Sequence, residues 1–387
     1  MMNVLICAGS FKDTYTSIEF SEQIKNFIDS RNRVIVAPFC DGGEYTLDVL
    51  KYYFDSQIKY IHNIFNSYLQ LIDVPYIVLD EQAYVFTSEI IKLSGGEEEY
   101  KNPLNLSDYG VGQTLKYLYQ EGYHRINLCI GGTSTTCCGA GAAQAMGIHF
   151  FDSDGGLINK IICGRDLQKI SGYTVGEGVN YTDLEIVILA DGDIDSKEMP
   201  SVSEMKISRT FKKNERIEIM QEIEKGVYRF SDIADEKKLG RFTGAAGGII
   251  MGLSLVMPLV CCLGSEYFSE LFRIEDKILM ADVVITGEGR LDNSACGKSA
   301  FAILKIAKKH QKKTVYIVGS ASDQYLQGER NGIVRNEILK KNGIDILLNC
   351  QYLYTNVGED MPYNEKMEVY RLEMMEIIKK LLKEIKL

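Results

Sequence analysis

Residues 3–39, NVLICAGSFKDTYTSIEFSEQIKNFIDSRNRVIVAPF, decide the fold class. Residues 3–8 are a short, largely apolar run that predicts a strand, residues 18–29 carry apolar side chains at helical spacing, and residues 33–39 predict a second strand. Strand, amphipathic helix and strand make a βαβ unit, and strands so short and continuously apolar belong to a sheet covered on both faces. The last hundred residues repeat the rhythm: strand 282–286, helix 299–310, strand 314–318, helix 334–342, strand 345–348 and a final helix within 365–386. Five parallel strands are therefore expected, divided between the two ends of the chain.

The middle reads differently. Strand-like runs at 58–64, 68–79 and 83–87 follow one another without helices, which predicts hairpins or a mixed sheet. Helix 108–120, strand 125–130 and a glycine-rich helix start come next, then a polar stretch at 152–182, strand 184–190 and a helix near 215–230. The simplest arrangement is α/β with two domains: a parallel sheet built from both termini (1–60 and 281–387) and an inserted α/β domain with a mixed sheet (61–280).

With 387 residues, 45% apolar and 25% charged, the composition is that of a folded protein of about two domains. Lys and Arg number 43 against 53 Asp and Glu, and the net charge of −10 argues against nucleic acid or an anionic membrane as partner, while leaving room for a local basic pocket. The ten cysteines form no CxxC pair and the four histidines no HxxxH, so reduced thiols of a cytoplasmic protein are expected rather than a zinc site. The first residues read as a strand, not as a signal peptide. Residues 242–265 carry no charge over a length that exceeds the ~20 residues of a membrane span. Five glycines and Pro258 within them predict a buried, glycine-rich helix instead.

Glycines and acids meet at five predicted strand ends: Gly9-Ser10-Phe11-Lys12, Asp41-Gly42-Gly43-Glu44, Gly131-Gly132-Thr133-Ser134-Thr135, Asp191-Gly192-Asp193 and Gly287-Glu288-Gly289-Arg290-Leu291-Asp292. In open α/β sheets ligands bind beyond the carboxyl ends of the strands, where glycine lets backbone N–H groups approach them. Asp41, Glu44, Asp191, Glu288 and Asp292 could there carry Mg²⁺ or take a proton from a substrate hydroxyl, although a single Asp-Gly is more simply a turn. Lys12, Arg290 and Lys298 would supply the positive charge that phosphoryl transfer or carboxylate binding needs. Residues 292–299, DNSACGKS, are not a P-loop, because Asp292 stands where its first glycine belongs. Gly297-Lys298-Ser299 still opens a helix whose N–H groups either hold an anion or are simply capped. No GxGxxG follows the first strand, which argues against a dehydrogenase.

Together the motifs resemble the type-1 glycerate kinase family, bacterial enzymes that phosphorylate D-glycerate with ATP. The resemblance runs over nearly the whole chain: Ser10-Phe11-Lys12; Asp41 to Glu44 with Thr46; SDYGVG from Ser107; Gly131-Gly132; Gly139-Ala140-Gly141; DSDG from Asp152; GAAGG from Gly244; and ITGEGRLD from Ile285 to Asp292 with Gly297-Lys298 downstream. It implies two α/β domains, one flavodoxin-like and one restriction-endonuclease-like, with ATP and Mg²⁺ as cofactors. The expected enzyme is a cytoplasmic kinase of a small hydroxy acid working at the cleft between its domains, with no nucleic-acid or membrane partner and with a homodimer left open. On residue chemistry at these positions, Asp191 is the candidate base, with Lys12 and Arg290 as catalytic cations. Ser10, Lys12, Asp41, Gly42, Gly43, Glu44, Gly131, Gly132, Arg290 and Lys298 are the candidate binding residues, and Asp41, Glu44, Glu288 and Asp292 the candidate metal ligands.

The sequence also departs from the family pattern. Gly9 and Asp13 stand where Asp and Gly are usual around Ser-Phe-Lys, Thr136 and Cys137 stand for Asn and Asp in the glycine loop, and Ile194 and Asp195 replace an Asn-Pro pair. These changes define a rival reading: a paralogue that keeps the fold and binds a small acid or nucleotide without transferring phosphate.

Overall fold

In the computed structural model, Val4, Leu5 and Ile6 pair in parallel with Val283, Val284 and Ile285, so the two ends of the chain share one sheet. The structure describes residues 1–11, 14–54, 58–92, 102–200, 203, 211–292, 299–351, 354 and 361–387. Two compact units emerge, Met1–Asp41 with Ser265–Leu387, and Gly42–Gly264. The divisions expected near 60 and 280 fall elsewhere: helix Ile274–Met280 packs on strand Asn3–Ile6 and helix Ser299–Lys309, which places it with the first unit.

The sheet of the first unit has the order Ile333–Val334, Ile346–Asn349, Lys313–Ala321, Val283–Leu291, Asn3–Ile6, Arg33–Val36. Five strands are parallel and the two-residue edge strand is antiparallel. Counted along the chain, the parallel strands run 2-1-3-4-5, the flavodoxin-like order, whose switch point lies between Asn3–Ile6 and Val283–Leu291. Successive strand residues face opposite sides. Val315, Ile317, Ile346 and Leu348 join Phe20 and Ile24 of helix Ser17–Lys25 and Ile378 and Leu382 of helix Tyr363–Glu384 in one core. Tyr316, Val318 and Leu347 join Leu304 of helix Ser299–Lys309 and Leu339 of helix Glu337–Lys341 in the core on the other side.

Helix Ser17–Lys25 starts with a reciprocal cap. The Thr16 hydroxyl accepts from the Glu19 N–H at 3.1 Å and the Glu19 carboxylate accepts from the Thr16 N–H at 3.0 Å. Thr16→Ala is expected to lower stability by about 1 kcal/mol, read as a shifted urea midpoint with an unchanged slope.

Two expected elements change. Strand 282–286 runs on to Leu291, because Lys313–Ala321 continues beside it with Glu288 opposite Val318 and Arg290 opposite Ser320. Glycine does not end a strand whose neighbour keeps supplying hydrogen bonds. Helix 334–342 shrinks to Glu337–Lys341, started by the Asn336 side chain accepting from the Leu339 N–H at 2.9 Å, while Val334 pairs with Leu347 in the edge strand.

The second unit holds a mixed sheet in the order Leu259–Leu263, Glu185–Ala190, Arg125–Ile130, Gln82–Phe86, Leu71–Leu79, Lys59–Phe65. The first four strands are parallel, Leu71–Leu79 is antiparallel to its neighbour Gln82–Phe86, and Lys59–Phe65 is antiparallel to Leu71–Leu79. Val74, Val85, Leu128 and Ile188 pack with Leu115, Ala142 and Ile249 from the helices. Within 242–265 the expected buried helix is short, Ile249–Ser254, preceded by the 3₁₀ turn Ala245–Gly247. After Pro258 the chain becomes the strand Leu259–Leu263, which the sequence reading does not anticipate. Among the described residues no helix is long and apolar enough to cross a membrane.

Candidate active site

In the first unit the strand ends at the switch point bring Gly9, Ser10, Asp41 and Ser299 into one neighbourhood. The Gly9 N–H donates to the Gly287 carbonyl at 3.2 Å, extending the ladder beyond Ile6. The buried Ser17 hydroxyl donates to the Ala8 carbonyl and accepts from the Phe39 N–H, both at 2.7 Å, and so ties together the segments that lead to Gly9 and Asp41. Asp41 accepts from the Ser299 hydroxyl at 2.6 Å and from its N–H at 3.3 Å. The anion at the start of helix Ser299–Lys309 is thus Asp41 itself. A Cβ on Gly9 would lie 3.0 Å from Ser299 Oγ and 3.2 Å from its Cβ, so glycine at position 9 leaves room for the Asp41–Ser299 pair. Ser299→Ala is expected to cost about 1.5–3 kcal/mol, the range for a hydrogen bond to a charged group, measured by chemical denaturation.

Glu288 accepts a hydrogen bond from the Tyr316 hydroxyl. Arg290 is exposed and pairs with Asp292 at 3.4 Å. All three lie on or just beyond the long strand, where an expected turn would have placed them in a loop. Lys12 and Lys298, together with Asp13, lie outside the described residues.

In the second unit the convergence is closer. Asp191 follows strand Glu185–Ala190, and its N–H donates to the Ile130 carbonyl at 3.1 Å, which sets it beside Gly131 at the end of Arg125–Ile130. A Cβ on Gly131 would lie 2.4 Å from Asp191 Oδ2 and 2.8 Å from Gly43 Cα. Gly132, with φ of +63°, leaves a Cβ position 2.5 Å from Glu44 Cγ. Two carboxylate side chains therefore lie against two bare backbone positions. The turn that presents Glu44 is braced by the Thr46 hydroxyl donating to the Gly43 carbonyl at 2.8 Å, and Gly42, at φ of +94°, lies against the Leu189 carbonyl. The Gly131 N–H donates to Thr87 Oγ1 at 3.3 Å.

Glu89, which the sequence reading passes over, joins this group. Burial is the main cause that raises its carboxyl pKa; Lys92 opposes the shift, and the neighbouring Asp48 and Glu44 add to it. A signal for it exists, since Glu89 closely follows strand Gln82–Phe86, but no glycine marks the place.

The glycine loop is anchored by a second residue outside the expected set. Asp108 is fully buried and accepts from the N–H groups of Gly139 and Ala142, each at 2.9 Å, and from the Cys137 thiol. Burial pushes the Asp108 carboxyl above its usual range and the Cys137 thiol above its own. Thr136 and Cys137 are both buried, so the departures at these positions bear on how the loop is held down. The Ile194 carbonyl accepts from the Gly244 N–H at 2.8 Å, and Asp193 pairs with Arg241 at 2.7 Å, bracing the turn after Asp191.

The four candidate metal ligands divide as Asp41, Glu288 and Asp292 in one unit and Glu44 in the other. Among the described residues no three acidic, histidine or cysteine side chains gather as a metal cage.

Carboxylates set against glycine backbone at the ends of parallel strands define a ligand-binding α/β enzyme. A profile of the glycerate kinase family matches residues 4–343, and the chain belongs to that family. It is a phosphotransferase acting on a hydroxyl group. The chain is 26% identical to the glycerate kinase of Neisseria meningitidis over 79% of its length and 82% of that protein. It is 27% identical to the glycerate kinase of Halalkalibacterium halodurans over 86% of its length and 89% of that protein, and 24% identical to the glycerate 2-kinase of Escherichia coli over the same shares. In structure it resembles a Salmonella typhimurium LT2 protein assigned as glycerate kinase 2, with a TM-score of 0.67 at 19% identity over 99% of this chain and 98% of that one.

Proposed function

We propose that the protein phosphorylates glycerate, using ATP and Mg²⁺, with Asp191 as the residue that orients the substrate hydroxyl and accepts its proton. The observation that carries this reading is the Asp191 carboxylate lying against the bare backbone of Gly131. A base there is held by the strand ladder through its own N–H and needs no mobile loop to position it. Phosphoryl transfer asks little covalent chemistry of a protein and much positioning and charge neutralisation. The glycine turns at Gly42-Gly43 and Gly131-Gly132 supply close backbone approach, and Ser10 and Arg290 supply a hydroxyl and a cation for the acid or the phosphates. Lys12 and Lys298 complete the proposed set of cations. MgATP, when bound, supplies the phosphoryl group, and Asp41, Glu44, Glu288 and Asp292 are the carboxylates proposed to hold the metal.

The buried positions of Thr136 and Cys137 support the catalytic reading over the non-catalytic one, because side chains packed beneath a loop are not the ones that touch a substrate. A coupled ADP-release assay over C3 to C6 hydroxy acids tests it. Turnover greatest with glycerate is the expected result. A folded protein that binds the acid and consumes no ATP would establish the non-catalytic reading instead.

A further inference from the structure

We infer that the first unit carries a separate binding site for a small multivalent phosphate anion, in the basic hollow at the amino-terminal ends of strands Lys313–Ala321 and Ile346–Asn349. The hollow, open to solvent, has a volume of about 580 Å³ and is lined by Lys308, Lys312, Lys313, Arg335 and Lys340, with Asp345 as the only carboxylate among its described lining residues. Five cations against one acid is a strong local excess on a chain whose net charge is −10. A concave site of this volume falls within the ~300–1,000 Å³ of small-molecule pockets, and converging positive charge in a hollow selects a compact anion.

The ordinary explanation for such lysines is the helix dipole, which favours cations in a last turn. It accounts for Lys308, in the last turn of helix Ser299–Lys309 and donating to the Lys341 carbonyl at 2.7 Å, and for Lys340, in the last turn of Glu337–Lys341 and paired with Glu337 at 3.0 Å. Lys312 donates to the Leu279 carbonyl at 2.8 Å. Lys313 and Arg335 fit none of these. Lys313 opens a strand, Arg335 precedes the Asn336 cap, both are exposed, and neither makes an ion pair among the described residues. The one acid in the lining is turned to another task, since Asp345 accepts from the Thr314 N–H at 2.9 Å. Two cations without partners, backed by three whose charge has only one carboxylate partner beside them, match the chemistry of a diphosphate.

The site is also remote in the fold from the chemistry above. Gly9, Asp41 and Ser299 gather at the carboxyl ends of the same sheet, whereas the hollow opens at the amino ends. An anion seated there leaves the proposed reaction's residues untouched, so occupancy and turnover can be separated by experiment.

Isothermal titration of the full chain with sodium pyrophosphate at low salt tests the inference, using the wild type, Lys313→Glu/Arg335→Glu and the milder Lys313→Gln/Arg335→Gln. Removing two charge-assisted contacts is expected to weaken pyrophosphate at least about tenfold in both double variants, while ATP-dependent turnover at saturating substrate stays at the wild-type rate. The Glu pair should weaken it more than the Gln pair. Wild-type affinity retained in both variants would place pyrophosphate elsewhere and overturn the site, as would a wild type that binds no pyrophosphate at all.

Discussion

Asp191→Asn should lower kcat by about 100-fold or more, the low end of what a general base contributes, and should melt within a few degrees of the wild type. The change keeps the shape of the side chain and the backbone N–H that binds the Ile130 carbonyl, so the strand end and the glycine opposite it are preserved. What goes is the negative charge that can take the proton. An interaction made chiefly in the transition state lowers kcat and kcat/KM together and leaves KM nearly unmoved. Single-turnover rates measured with glycerate and ATP, alongside differential scanning calorimetry, separate this from a folding defect. An Asn variant that turns over at the wild-type rate would remove Asp191 from the mechanism.

The largest stability loss is expected at Asp108. Asp108→Ala deletes the acceptor of two backbone N–H groups, those of Gly139 and Ala142, inside a region with no water-exposed alternative. Each unsatisfied buried donor costs about 1–3 kcal/mol, so a loss of about 2–6 kcal/mol is expected for the two, seen as a large drop in the denaturant midpoint. Asp108→Asn keeps one carbonyl acceptor and should lose less. The raised carboxyl pKa of Asp108 sets a sign as well: a folded-state pKa above the unfolded one means that the native protein binds the extra proton, so this residue's contribution to stability declines as pH rises through that interval. A wild-type stability that loses ground to Asp108→Asn as pH falls would contradict the assignment of burial as the dominant cause.

The strand and helix alternation at the two ends was legible because the inner strands are buried on both faces and the helices on one, which leaves distinct periods in the residues. Arg125–Ile130 stands where the pattern puts it, and the antiparallel run of Lys59–Phe65, Leu71–Leu79 and Gln82–Phe86 follows from the lack of helices between them. Edges were less legible. Leu259–Leu263 sits at the sheet's rim beside Glu185–Ala190, and its five residues continue an uncharged stretch in which helix and strand periods look alike. The extension of Val283 to Leu291 depended on the length of a neighbour, a non-local fact that Gly287 and Gly289 concealed.

For the candidate site, glycines beside acids pointed to Gly131, Gly132, Glu44 and Asp191, because close backbone approach demands glycine and so leaves a trace in the sequence. Glu89 left no such trace, and Asp108, though it lies within SDYGVG, is not marked there as a site residue. One follows a strand without glycine, and the other acts thirty residues away in the chain by holding down a loop it does not belong to.

All nine cysteines among the described residues are free thiols, and several of them, Cys7, Cys137, Cys138 and Cys350 included, are completely enclosed. Burial pushes the Cys350 thiol up to about 12 and raises the other three as well. Only the thiolate attacks an alkylating reagent, so in the closed protein these sulfurs are doubly silent, shielded from contact and held protonated. Each becomes reactive only when its surroundings open. Cys7 and Cys350 sit in one unit and Cys137 and Cys138 in the other, which gives the molecule two sets of internal clocks whose alkylation rates time the opening of each half without any added label.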